Sequence, residues 1–130
     1  MRYIGIDYGA QRIGIAVSDA DGRIAFPETT IANDGNAIEK IAKLAREKQA
    51  MKIIMGDTRS VSGAENPVTA EADRFARKVE KNAGLPVETI FEAWSSIEVS
   101  RYAPQGASHD DAAAAAFILQ RYLDMKSKTV

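Results

Sequence analysis

Three runs of alternating apolar residues fill the first 31 positions, and the segments between them are too short to hold a helix. In Tyr3-Ile4-Gly5-Ile6-Asp7, Ile4 and Ile6 share one face while Tyr3, Gly5 and Asp7 share the other. Arg12 to Ser18 repeats the pattern with Ile13, Ile15 and Val17. Arg23 to Ile31 is the third strand, and Pro27 restricts it to a sheet edge or a bulge, because proline has no N–H for a ladder. The separators are Tyr8-Gly9-Ala10-Gln11 and Asp19-Ala20-Asp21-Gly22, the second made of turn formers. Strands joined this tightly run antiparallel, so the chain opens as a meander.

The period then changes. Asn36 to Gln49 places Ile38, Ile41, Ala42, Leu44 and Ala45 at helical spacing. Lys52 to Gly56 is a short apolar strand, followed by a polar loop from Asp57 to Glu65. Asn66-Pro67 reads as a cap and first position of a helix running to about Asn82 and ending at Gly84. Pro86 to Phe91 is a fifth strand. Ser95-Ser96-Ile97-Glu98 fits a capping box opening a short helix, and Asp110 to Met125 is a final alanine-rich helix. The order βββαβαβ(α)α predicts a mixed α/β sheet flanked by helices, with strands one, four and five parallel because helices connect them. The 130 residues suit one domain spanning 1–130.

Composition narrows the chemistry. Seventeen basic residues against eighteen acidic ones exclude a polybasic binder, though not a nuclease with a local basic groove. The absence of cysteine excludes disulfides, thiolate zinc sites and thiol catalysis, and the single histidine, His109, excludes multi-histidine metal sites. No stretch reaches the ~18–20 apolar residues of a membrane span. The chain begins directly with a strand pattern and not a secretory signal, so the cytoplasm is the expected compartment.

Three acids have placements that allow them to meet. Asp7 ends the first strand, and the carboxyl ends of strands are where open α/β sheets place their sites. Glu92 directly follows the fifth strand. Asp111 lies in the first turn of the last helix, on a stripe with Ala115, Ile118 and Tyr122 that bears no other charge; Asp110 shares its stripe with Arg121 and Asp124. The run Ala112 to Ala116 permits close approach of that helix, and Gly5 leaves room for it on the Asp7 face. Converging carboxylates repel one another unless a cation intervenes. An all-oxygen set without Cys or His favours Mg²⁺ or Mn²⁺ and suits phosphodiester hydrolysis by two ions ~3.5–4 Å apart. Each acid also has an ordinary explanation: a strand-end residue for Asp7, a solvated loop acid for Glu92, a first-turn helix acid for Asp111. Spacing alone leaves both readings open.

The segment Gly5-Ile6-Asp7-Tyr8-Gly9-Ala10-Gln11-Arg12-Ile13-Gly14-Ile15-Ala16-Val17-Ser18-Asp19 closely resembles the opening motif of the YqgF/RuvX family, RNase H-like proteins related to the RuvC Holliday-junction resolvases. Ile53-Ile54-Met55-Gly56, Ser62-Gly63, Gly84-Leu85-Pro86-Val87 and the final helix from Asp111 to Leu123 extend the resemblance over nearly the whole chain. It implies an RNase H-like fold with sheet order 3-2-1-4-5 and places the family's three metal-binding catalytic acids on Asp7, Glu92 and Asp111. It further implies a metal-dependent nuclease acting on structured nucleic acid, through 5′-end processing of pre-16S ribosomal RNA or resolution of branched DNA.

This chain departs from the family pattern in three places. Phe91-Glu92-Ala93-Trp94-Ser95-Ser96 keeps the acid but lacks the neighbouring acid and arginine. The loop Tyr102 to Ser108 has no charge where relatives carry Lys and Arg, which also allows a non-catalytic RNA- or protein-binding module. Asp57 stands where proline is usual and is either a fourth ligand or a turn residue. Arg12 and Arg59 are candidate phosphate contacts, with surface solubility the plainer role for Arg59. Ser62 and Ser96 are candidate phosphate donors that serve equally as caps. His109 is a candidate water-orienting or proton-shuttling group that serves equally as a surface histidine. The basic residues of the second helix, Arg74, Arg77, Lys78 and Lys81, alternate with Asp73 and Glu80 and read as a solvated face. No apolar stripe announces an oligomer, so a monomer or weak homodimer is expected.

Overall fold

Paired strands turn the N-terminal alternation into a sheet with two apolar faces. The computed structural model describes residues 2–57, 67–91 and 111–127. Strands β1 (Arg2–Tyr8), β2 (Arg12–Ser18) and β3 (Ala25–Ala32) form the predicted antiparallel meander. Helix α1 (Ala37–Glu47), strand β4 (Ala50–Asp57), helix α2 (Pro67–Ala83), strand β5 (Val87–Phe91) and helix α3 (Asp111–Ser127) follow. The sheet order is β3-β2-β1-β4-β5, with β4 parallel to both β1 and β5. This is the order implied by the family resemblance. The short helix predicted at Ser95 lies outside the described residues.

Two boundaries moved for identifiable reasons. β3 starts at Ala25 and not Arg23, because the Asp19 carboxylate accepts the N–H groups of Arg23 and Ile24 at 2.8 and 3.1 Å and keeps them in the turn. Asp57, expected to open a loop, is the last residue of β4 and pairs with Phe91 of β5. Pro27 meets both conditions set for it: β3 is an edge strand, and the register slips there so that Ile15 faces Thr29 while Ala16 faces Pro27.

The two faces of the sheet are covered separately. Ile4, Ile6, Ile13, Ile15, Ile53 and Met55 pack with Ile41, Ala45, Phe75 and Val79 of α1 and α2. On the opposite face Tyr3, Ala16 and Ile54 pack with Ala115, Ile118, Leu119 and Leu123 of α3. Leu44 and Ile38, predicted to point inward, are only partly buried at the margin of the first cluster. Among the described residues, no helix is long and apolar enough to cross a membrane.

Polar clamps reinforce the layers. Gln120 of α3 accepts the Ala25 N–H at 2.9 Å and donates to the Arg23 carbonyl at 2.9 Å, so a helix side chain satisfies the edge strand's main chain. Glu80 of α2 accepts from the Val87 N–H at 3.1 Å and from Arg77 at 2.7 Å, tying α2 to the start of β5. The Val87 N–H, followed by Arg77, holds the Glu80 carboxyl below the usual glutamate range.

Gln120→Ala removes the bond to the Ala25 N–H of β3 and the bond to the Arg23 carbonyl in the preceding turn, and is expected to lower stability by about 1–2 kcal/mol in urea titrations. Because the Glu80 pKa is lowered on folding, its contribution is complete above the unfolded pKa and is lost as pH falls through the lower folded value. Glu80→Ala should therefore lower the melting temperature at pH 7, and the gap from wild type should narrow as the pH falls through the lowered folded pKa.

Candidate active site

The site is built where α3 begins over the carboxyl end of β1. Residues directly opposite one another in an antiparallel pair project to the same face. Asp7 pairs with Gly14, and Gly5 pairs with Ala16, which packs under α3. Asp7 and Gly14 therefore lie on the α3 face. A Cβ on Gly14 would collide with the carbonyl of Asp111 and stand 2.9 Å from the Ala112 nitrogen. The main chain of Asp111 thus rests on the residue that faces Asp7. Further along, a Cβ on Gly5 would stand 2.7 Å from the Leu119 Cβ and 2.9 Å from the Ala115 carbonyl, which is the close approach expected there.

Asp111 opens α3, where the unpaired N–H groups of the first turn favour a negative charge. Its side chain is 14% exposed and meets Arg12, with Nε 3.1 Å from Oδ2. Arg12 is 62% exposed, and an ion pair with one partner in solvent contributes only ~0–1 kcal/mol, so the guanidinium can leave Asp111 for a phosphate at small cost. Arg12, a candidate phosphate contact in the sequence, is here the ion-pair partner of Asp111. Asp7 is partly buried. The turn that follows β1 is anchored from β3: Asn33 donates through Nδ2 to the Gly9 carbonyl at 2.8 Å, and its N–H reaches the Gln11 carbonyl at 2.9 Å.

The structure pairs Arg12 with Asp111 and sets Asp7 opposite Gly14, on which the Asp111 main chain rests. Glu92, Arg59, Ser62, Ser96 and His109 lie outside the described residues. Asp57 is placed by its backbone at the end of β4, at the same edge of the sheet as the ends of β1 and β5. Among the described residues, no group of three His, Cys, Asp or Glu forms a metal-holding cluster. The sequence reading missed Gly14 and Asn33. For Gly14 a signal was present: a glycine inside a strand of β-branched residues marks a backbone that another backbone must approach.

Family comparison accounts for this arrangement over the chain's length. Residues 1–125 match the RuvX family, described as "Holliday junction resolvase". The chain belongs to the RuvX family. A relative from Bordetella pertussis is 37% identical over 127 residues, covering 96% of this chain and 95% of its own, and is named "Putative pre-16S rRNA nuclease". A relative of the same name from Anaeromyxobacter dehalogenans is 38% identical over 136 residues, covering 98% and 99%. Thermus thermophilus RuvC superposes with a TM-score of 0.64 over 99% of this chain and 98% of its own, at 13% identity. At that identity the likeness establishes the fold, and it agrees with the RNase H-like sheet of this RuvX protein.

Gly14→Ala should lower stability by about 1–3 kcal/mol, since neither the strand nor the first turn of α3 can yield without losing hydrogen bonds. Gly35→Ala, where a new Cβ meets nothing within 4 Å, is the control and should stay within about 0.5 kcal/mol in the same urea titrations.

Proposed function

We propose that this RuvX-family protein is a metal-dependent nuclease of the cytoplasm whose substrate is the 5′ end of pre-16S ribosomal RNA. Asp7, Glu92 and Asp111 would hold Mg²⁺ or Mn²⁺. The observation that supports the reading is that the main chain of Asp111 rests on Gly14, the residue opposite Asp7, although the two acids are 104 positions apart in the chain. The donor set fits the group, because carboxylate oxygens without sulfur or imidazole suit a hard divalent cation. Support for Glu92 comes from its place in the sequence, directly after β5, and from the family resemblance.

A cation bound there supplies Lewis-acid activation of water and neutralises charge on the phosphate. The protein's part is to fix the carboxylates. β1 sets Asp7 by its pairing, and α3 sets Asp111 by its seat on Gly14. Arg12, released from Asp111, would take a phosphate oxygen of the substrate through its planar donors. Asp57 is a candidate fourth ligand at the same edge. The family description favours a second reading in the same chemical class, cleavage of branched DNA junctions by the same residues. A monomer suffices for RNA, whereas a symmetric junction suits a weak homodimer.

The test is cleavage of structured RNA and of a four-way DNA junction with Mn²⁺. Asp7→Asn should lower the rate by more than ~100-fold, beyond what loss of an outer partner costs. Asp111→Asn should weaken Mn²⁺ binding in a calorimetric titration. Equal cleavage by wild type and Asp7→Asn would reject the site, and no cleavage by either with no Mn²⁺ binding would leave a nucleic-acid- or protein-binding module on this scaffold.

A further inference from the structure

A groove of about 330 Å³ opens on the α1/α2 side of the sheet, beginning at Tyr8, the residue after Asp7. One wall is the connection from β3 to α1, with Asn33, Asp34 and Gly35; the other is α2, with Glu71, Arg74, Phe75 and Lys78. Tyr8 and Phe75 form its floor, their rings 4.9 Å apart and tilted by 51°. Arg74 and Lys78 stand one turn apart on α2 and are exposed. They differ from the neighbouring Arg77, which is committed to Glu80 at 2.7 Å. Among the described residues, no salt bridge holds either of them.

The sequence pattern of alternating signs on α2 therefore separates in space. Asp73, Arg77 and Glu80 fall on one stripe of the helix, and Arg74, Lys78 and Lys81 on another. Of the second stripe, Arg74 and Lys78 line the groove. Of the groove's two acids, Asp34 accepts the Asn36 N–H at 2.9 Å, which orients it into its own turn. Glu71, exposed and one turn before Arg74, also lines the groove.

We infer that this groove is a nucleic-acid subsite: a single strand crossing the carboxyl edge of β1 lays its phosphates against Arg74 and Lys78 while its sugar and base face Tyr8. The inference rests on the proposed function for the direction of the strand and on its own geometry for the contact. Adjacent Cα atoms are ~3.8 Å apart, so Asp7 and Tyr8 aim at opposite faces from one point of the sheet edge, and a strand bent over that edge reaches both. The near-neutral net charge makes such a local pair of cations decisive for affinity, because the chain as a whole offers no attractive field. The shared chemistry is the phosphodiester backbone, so RNA and DNA strands both qualify.

The experiment measures binding of fluorescein-labelled 12-nucleotide RNA and DNA strands by anisotropy across a KCl series, with EDTA present so that no cleavage occurs. Each phosphate contact on a single strand adds ~0.7 to the slope of log K against log salt. Arg74→Ala/Lys78→Ala should lower the slope by about 1.4 and weaken binding roughly tenfold near 0.1 M salt. Arg74→Lys/Lys78→Arg should restore both. Lys43→Ala/Arg46→Ala removes the same charge from α1 and should leave the slope near that of wild type. An unchanged slope in the α2 double variant, an equal fall in the α1 control, or no binding by wild type at low salt would each overturn the subsite. A fall with RNA only, or with DNA only, would uphold it and name the strand. Because no metal or turnover enters the readout, the result is independent of whether Asp7→Asn abolishes cleavage.

Discussion

The approach of α3 to within backbone contact of β1 and β2 is the constraint on which the rest of the molecule depends. Glycines at positions 5 and 14 make it possible, because any side chain there would occupy the space of Leu119, of the Ala115 carbonyl or of the Asp111 main chain. The small residues Ala112 to Ala116 supply the matching surface on the helix. Packing at this distance leaves no tolerance for a methyl group, since an interior already at crystal-like density transmits the displacement. The same contact that closes the second core also carries Asp111 to the strand that bears Asp7. Stability and the candidate chemistry are therefore set by one interface.

Around that interface the polar groups are used economically. Gln120 satisfies the main chain of an edge strand, Asn33 holds the turn after β1, and Glu80 couples α2 to β5. Each spans two elements that meet only after folding. Buried or half-buried main-chain groups need such partners, and an edge strand left open would invite pairing with another chain. Asn33 acts at the carboxyl edge of β1, next to Asp7, whereas Gln120 and Glu80 act at the opposite edge of the sheet, where β3 and β5 begin. Arg12 adds a mobile counter-charge on Asp111, strong enough to orient the carboxylate and weak enough to be displaced.

Much of this was readable from residue order. The strands, the antiparallel opening, the parallel β1, β4 and β5, and the inward faces of α1 follow from period and turn chemistry. Pro27 called for an edge strand or a bulge, and the structure has both; Gly5 left room for a helix, and α3 passes there. The strand ends at Arg23 and Asp57 were misjudged because boundaries answer to partners: a carboxylate in one case and a neighbouring strand in the other. On α2, the basic residues expected on a solvated face are exposed, and the structure divides them into Arg77, paired with Glu80, and Arg74 and Lys78, which line a groove.

Sequence by itself determined the alternation, the antiparallel opening and the family, and it nominated the candidate acids, because these are properties of neighbours along the chain. Only the tertiary structure decided that Asp7 faces Gly14, that Asp111 rests on that glycine, and that Arg12 is the cation at its carboxylate. Those relations depend on strand register and on how closely a helix can sit above a sheet. Register and interlayer distance come from the summed packing of side chains far apart in the chain, and no local pattern encodes that sum.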